Sequence, residues 1–192
     1  MIKLLILICS SVLFVEIIIY PEVKDGYLII QAEQAMNAND TALHWEKDTV
    51  ISGFTGTAYF HFKGDSEFPE ESIPYEEEER NRVLTYQFKI DKPGVYYVKV
   101  YNYHFHEDGD NDCWISMNKG QWSKTYDHNA NQWSWDETGN WNTYILEKGI
   151  NTVEIAGRSH NFIIDKLVVF HEDVAPEPFD NHQDAVWSNL LN

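Results

Sequence analysis

Among 192 residues there are only two cysteines, Cys9 and Cys113, and only 14 lysines and arginines against 31 aspartates and glutamates, a net charge of −17. The scarcity of positive charge argues against proteins that must neutralise a phosphate backbone or an anionic lipid surface, so neither nucleic-acid binding nor peripheral membrane binding is expected. The scarcity of cysteine excludes a disulfide framework. If the leading apolar segment is removed, Cys113 stands alone, is expected to be buried rather than reactive, and leaves stability to the core or to a bound metal. The common catalytic signatures are also missing: there is no H-E-x-x-H, no G-x-S-x-G, no G-x-x-x-x-G-K and no G-x-G-x-x-G. No long stretch is patterned at helical period, no internal repeat is present, and the length suits one domain with a sizeable core.

What the chain does have is aromatic residues, 15% of the total with 7 Trp and 11 Tyr, and a period-two pattern. Leu84, Tyr86, Phe88 and Ile90 alternate with Thr85, Gln87 and Lys89. Tyr96, Val98 and Val100 alternate with Tyr97, Lys99 and Tyr101. Turn signals separate such runs: Asp91-Lys92-Pro93-Gly94, Asn118-Lys119-Gly120, Thr138-Gly139-Asn140 and Glu147-Lys148-Gly149. Many short strands and few helices predict an all-β fold, a sandwich of two antiparallel sheets. The expected sandwich domain covers residues 25–172. Residues 1–20, with Lys3 before apolar Leu4 to Val15, read as a secretory signal or an N-terminal anchor, which places the protein outside the cell or in a periplasm. Residues 173–192 read as an acidic, proline-containing tail.

Two places invite a metal. His104 and His106 fall on one face of a strand, with Glu107 and Asp108 as further ligands, the basis for an alternative reading as a metal-dependent polysaccharide-active enzyme. The opposing reading is two histidines at a strand end that only hydrogen-bond. Asp108-Gly109-Asp110-Asn111-Asp112 opens like a calcium loop, yet Cys113 stands where that loop needs glycine and Lys119 where it needs glutamate, so a plain turn closed by Asx hydrogen bonds accounts for it. The stretch from Gly120 to Trp141 sets Trp122, Tyr126, Trp133, Trp135 and Trp141 among Asn, Gln, Ser and Asp, the mixture of stacking surface and hydrogen-bonding groups a sugar needs. On Cys113–Met117 the apolar set faces one way and Trp114 the other, either as an open platform or as a ring covered by the aromatic loop.

Ile29-Ile30-Gln31-Ala32-Glu33, Gly56-Thr57-Ala58-Tyr59 and Phe162-Ile163-Ile164-Asp165-Lys166-Leu167 resemble three segments of the family 6/35-type carbohydrate-binding modules. These are calcium-containing, galactose-binding-like jelly-roll sandwiches often attached to polysaccharide-degrading enzymes. The resemblance spans roughly Tyr27 to Phe170. It implies a structural calcium held by Gln31, Glu33 and Asp165, with backbone carbonyls near Lys47 to Thr49 completing the shell; a plain ion pair of Asp165 with Lys166 or Arg158 is the competing reading. It also implies a non-catalytic polysaccharide- or glycan-binding role, with a catalytic domain or enzyme as partner. Carried over by position, Tyr59 is a stacking ring with Trp114 or Trp133 as its partner, Trp135 belongs to the same loop, and Arg158, His160 or Asn161 supplies the polar contact. The family's usual asparagine is absent, since Ile163 occupies that place. A structural or adhesion sandwich without a sugar site stays open beside this reading.

Overall fold

The computed structural model describes residues 20–66, 77–136 and 142–174, so the signal or anchor segment, Trp141 and the tail beyond Val174 lie outside the described residues. Among the described residues eleven strands form two antiparallel sheets: β1 (Tyr27–Gln31), β2 (Trp45–Asp48), β3 (Tyr59–Phe62), β4 (Val83–Ile90), β5 (Gly94–Tyr103), β6 (Asp112–Met117), β7 (Ser123–Tyr126), β8 (Ser134–Trp135), β9 (Asn142–Leu146), β10 (Gly149–Gly157) and β11 (Ile163–His171). One sheet has seven strands in the order β2-β3-β11-β5-β8, with β1 on β11 and β9 on β5; the other has four in the order β4-β10-β6-β7.

The alternation read in the sequence decides which side chains meet between the sheets. Leu84, Tyr86, Phe88 and Ile90 of β4, Val153 and Ile155 of β10, and Cys113, Ile115 and Met117 of β6 form one wall of the core. Phe60 and Phe62 of β3, Ile164, Leu167 and Val169 of β11, and Tyr96, Val98 and Val100 of β5 form the other. Every second residue of a strand points the same way, so the remaining positions of β3, β5 and β11 stand on the outer face of the large sheet. Cys113 is a free thiol inside this core, and burial pushes its pKa well above the usual thiol value.

The open edge of β4 is covered from within the chain. Lys89 pairs with the segment before β1, through the Val23 N–H to Lys89 O and the Lys89 N–H to Pro21 O, at 2.9 and 2.8 Å. Further along, Asn37 imitates a strand: its Nδ2 donates to Val83 O at 2.7 Å and its Oδ1 accepts from Thr85 N at 3.1 Å. Covering an edge removes a template for aggregation. Asn37→Ala removes both bonds and is expected to cost about 1–2 kcal/mol, measurable as a lower midpoint in urea with an unchanged slope.

β11 carries the irregularity that matters most for function. Its register against β5 passes from Ile164↔Asn102 directly to Lys166↔Tyr101, leaving Asp165 as the extra residue of a β-bulge. On its other edge β11 pairs with β3 at Ile163 and Ile164 and with β1 from Lys166 onward. Asp165 therefore sits at the gap between β3 and β1.

Candidate functional site

The gap beside Asp165 gathers the side chains that the family resemblance implies as calcium ligands. Gln31 ends β1, Glu33 lies in the single 3-10 turn Ala32–Gln34 that follows, and the loop before β3 brings in Thr55, Gly56 and Thr57. The Thr55 N–H donates to both Asp165 carboxylate oxygens at 3.1 Å, and its hydroxyl lies 3.0 Å from both Gln31 Oε1 and Asp165 Oδ2. The Thr57 N–H and hydroxyl donate to Glu33 Oε1 at 2.7 and 3.0 Å. Thr55 and Thr57 stand at this cluster. Lys47 and Asp48 are committed to the β2–β3 ladder, whereas the loop from Ser52 to Thr57 folds back over the bulge.

The donor set fits a hard cation. Three side chains present oxygen, the chemistry that calcium selects. Glu33 Oε2 is buried with no hydrogen-bond partner. A methyl group built on Gly56 falls 2.4 Å from Glu33 Oε1 and 3.0 Å from Gln31 Oε1, and Gly56 has φ +74°, so glycine lets the loop close over these oxygens. Burial pushes the Asp165 carboxyl up to about 6, against the pull of Lys166 and the Thr55 bonds. Lys166 is the local positive charge, with Nζ 3.8 Å from Asp165 Oδ2 and 3.2 Å from Thr55 Oγ1, so the ion-pair geometry is present as well. Among the described residues no group of three or more His, Cys, Asp or Glu side chains forms a metal cluster.

The aromatic residues converge on the outer face of the large sheet. The Trp133 ring stacks on Tyr101, with centroids 5.9 Å apart and planes 16° from parallel, and meets Tyr59 and Tyr103 at 5.5 Å each. Its Nε1–H donates to Ser52 O at 3.0 Å, tying it to the loop that covers Asp165. From Trp133 the rings continue to Tyr103 and then Phe105, 5.4 Å further, and Phe105 lies 6.4 Å from the His61 ring. The placement follows from register: His61, Ile163 and Tyr103 are direct neighbours across β3, β11 and β5 and so share one face.

These rings differ in exposure, and that separates platform from support. Trp133 and Tyr103 are half-buried and Phe105 is 36% exposed. Tyr59 and Trp135, both expected to meet a ligand, are instead buried beneath the platform. Tyr59 lies under Trp133 and Phe54 with its hydroxyl accepting from the Ile51 N–H at 3.0 Å, and Trp135 rests on Tyr101 at 5.0 Å. At the far end, His61 Nε2 is 3.0 Å from Asn161 Oδ1, and the Lys63 ammonium is 2.9 Å from His61 Nδ1. Burial lowers the basicity of the His61 ring, as does the neighbouring Lys63, while the contact with Asn161 opposes them.

Of the expected polar contacts, Asn161 stands at the platform, held at φ +70° in the turn between β10 and β11. His160 is exposed and bonded through Nδ1 to Gly64 O at 2.9 Å. Arg158 is buried on the other sheet, paired with Asp112 and lying over the Trp114 ring at 5.5 Å. Trp114 is only 6% exposed, covered by Trp122 in a cluster with Val83 and Ala156, so the covered-ring reading holds and no open face is left for a sugar. The period-two pattern that put Phe60 and Phe62 inside already put His61 outside, and likewise Tyr103 by extension from Tyr97 and Tyr101, although neither was singled out.

The two histidines expected on one strand face are separated by the end of the strand. β5 stops at Tyr103, and Asp110 accepts from the Phe105 N–H, the His106 N–H and His106 Nδ1, each at 3.0 Å, which curls the chain into an Asx-closed loop. His104 is fully buried with Nδ1 on His106 O at 2.6 Å, while the His106 side chain is 75% exposed.

The fold is that of the carbohydrate-binding module sandwiches. No family model matches the chain, and no curated protein matches it. Solved structures do: the GH26-CBM35 β-(1,4)-mannanase of Podospora anserina superposes with TM-score 0.57 at 18% identity over 80% of this chain and 29% of that one. A family 35 carbohydrate-binding module from Clostridium thermocellum gives TM-score 0.52 at 18% identity, over 74% of this chain and 98% of the module. A ruminal GH26 endo-β-1,4-mannanase gives 0.53 at 17% identity, over 81% of this chain. The chain spans less than a third of either mannanase, 29% and 28% of their lengths, and nearly the whole of the isolated module.

Proposed function

We propose that this chain is a non-catalytic carbohydrate-binding module that holds neutral sugar rings of a polysaccharide on the outer face of its seven-stranded sheet. The observation that carries this reading is the half-exposed row Trp133, Tyr103 and Phe105, ending at the His61–Asn161 pair with Lys63 beside it. The C–H face of a pyranose packs on indole and phenol rings, and vicinal hydroxyls take the Asn161 amide and the exposed Lys63 ammonium, with the buried His61 ring holding both in place. Ile163 sits in the middle of the row, so polar recognition falls to its flanks. The outer-face placement of the rings, the fold shared with isolated family 35 modules and the missing catalytic motifs all support a binding role. Gln31, Glu33 and Asp165 are the residues that hold a structural calcium in this reading, with Thr55 and Gly56 shaping the loop around it. In this reading residues 1–20 act as a secretory leader or anchor, and the module works on extracellular or periplasmic polysaccharide next to a catalytic domain or partner enzyme.

The test is affinity electrophoresis of residues 20–174 through gels containing β-1,4-mannan, β-1,3-glucan, xylan, galactan or a polyuronate. Retardation by at least one neutral polysaccharide is expected. Unretarded migration in every gel by protein shown to be folded by circular dichroism contradicts the proposal. Tyr103→Ala, which removes the middle ring, is expected to weaken retardation by roughly tenfold in dissociation constant while leaving the fold intact.

A further inference from the structure

Most of the space between the sheets is apolar, but beside β7 the two sheets are joined by hydrogen bonds. Ser123, Thr125 and Asp127 are alternate residues sharing one face. Each meets a partner at the facing edge of the large sheet: Ser123 donates to Asn142 Oδ1, Thr125 donates to Asp136 Oδ2, and Asp127 Oδ2 accepts from Ser134. Thr125, Asp127 and Asp136 are each at most 1% exposed. Asp136 is further tied to β5, its N–H donating to Val100 O at 3.0 Å and its Oδ1 accepting from the Val100 N–H at 3.3 Å.

The segment held in this way carries the platform. β8 is two residues long and pairs with β5 only through Tyr101↔Trp135 and Asn102↔Ser134, too little ladder to fix its place. Along it the side chains alternate: Trp133 and Trp135 reach the outer face while Ser134 and Asp136 turn inward to β7. We infer that Asp136, together with Asp127, is a positioning residue of the glycan platform, holding Trp133 against Tyr101 and Tyr103 through bonds to the opposite sheet. The inference rests on the outer face being the glycan site, but the position of Trp133 can be read without any glycan.

A pH dependence follows. The titratable and charged groups around Asp136 are Lys99 of β5, Asp127 after β7, Cys113 of β6 and Tyr144 of β9. Burial raises the Asp136 acid to about 7, opposed by the Thr125 bond, Lys99 and the Val100 N–H and reinforced by the charge of Asp127. Burial also holds Cys113 well above the ordinary thiol value and Tyr144 at about 12, so neither loses its proton near neutrality. The folded acid is the weaker one; its contribution to stability is full below the unfolded carboxylate range and is lost as pH rises through about 7. Above that pH the bonds from Thr125 and the Val100 N–H are made to a carboxylate, and the field under the β8 segment changes.

The experiment is a pH titration, from 5.5 to 8.5, of the 5-fluorotryptophan-labelled full chain by ¹⁹F NMR, with Trp133 and Trp135 assigned from Trp133→Phe and Trp135→Phe. In the unsubstituted protein both resonances are expected to shift with a common midpoint near 7, while Trp45, on the opposite flank of the large sheet, does not. Asp136→Asn, neutral and of the same shape, is expected to flatten both titrations. Thr125→Val removes a bond that favours the ionised form and is expected to raise the midpoint. Flat Trp133 and Trp135 resonances in the unsubstituted protein overturn the inference, and so does a titration that persists in Asp136→Asn, which assigns it to another group. Retardation on the polysaccharide gel is expected to weaken several-fold in Asp136→Asn, whose amide accepts at one oxygen where the carboxyl group accepts at two. If no polysaccharide retards the protein, the glycan reading fails while the fluorine titration still decides the positioning role.

Discussion

Gly157→Ala is expected to destabilise the domain by about 3–5 kcal/mol, the cost of forcing an extra group into a closed core with no free volume to absorb it. Gly157 ends β10 and faces Phe62 of β3 on the other sheet. A methyl group built on it falls 2.1 Å from Phe62 Cδ2, 2.2 Å from Cε2 and 2.5 Å from Cγ. The ring cannot step aside. It is fully buried, with Trp45 at 5.1 Å, His44 at 6.4 Å and the Arg82 guanidinium 5.0 Å over its face. For a domain of this size that loss is roughly a 10–15 °C fall in melting temperature. Calorimetry checks it, and the cause is separable: Phe62→Leu added to Gly157→Ala relieves the overlap, so the double variant is expected to be more stable than the sum of the two single losses predicts. Simple additivity contradicts the packing account.

The second large effect is that of calcium. Glu33 Oε2 and the Asp165 carboxylate are buried or nearly so with little positive charge to balance them, and a bound cation stabilises the folded form by mass action, about 2.7 kcal/mol at one hundred times the dissociation constant. The expected result is a melting temperature roughly 5–10 °C higher in millimolar calcium than in chelator. The effect also depends on pH. The buried Asp165 acid, at about 6, must give up its proton to hold the ion, so stabilisation by calcium is expected to grow as pH rises through that value. Asp165→Asn removes one charge from the site and is expected to abolish most of the shift. Equal melting temperatures with calcium and with chelator contradict the metal reading and leave the Asp165–Lys166 ion pair as the explanation of the cluster.

How much of this was legible beforehand depended on distance along the chain. Alternation on Leu84–Ile90 and Tyr96–Val100 is local, and it predicted the strands, the two-sheet architecture and the core faces. Gln31, Glu33 and Asp165 were implied as a set only by resemblance to a known family, since 110 positions separate Thr55 from Asp165 and no period relates them. What was missed depends on a strand end or on one ring covering another. His104 and His106 seemed to share a face because nothing in a period-two reading shows that Asp110 ends β5 at Tyr103. Trp114 and Tyr59 carry the right chemistry for a sugar, yet Trp122 and Trp133 lie on top of them, and cover of that kind is a tertiary property. The same holds for the seam: Thr125 and Asp136 carry no pattern that relates them until two sheets bring them together.

The site also shows a division of labour between neighbouring residues. Within Trp133–Asp136 two side chains face the solvent-side rings and two face the interior, so a single short segment links the outer aromatic face to the buried polar seam. Substitution of Trp135 is therefore expected to act on both stability and binding, whereas the half-exposed Trp133 acts mainly on binding.

The most direct test of the central claim is isothermal titration calorimetry of the polysaccharide that retards the protein, with the unsubstituted domain and with Trp133→Ala at pH 6. Trp133 stands where the exposed row begins, so its loss is expected to cost about 2 kcal/mol or more, roughly a thirtyfold weaker dissociation constant, with the melting temperature little changed. Equal affinity in the two proteins would place glycan binding away from the outer face of the seven-stranded sheet and contradict the account.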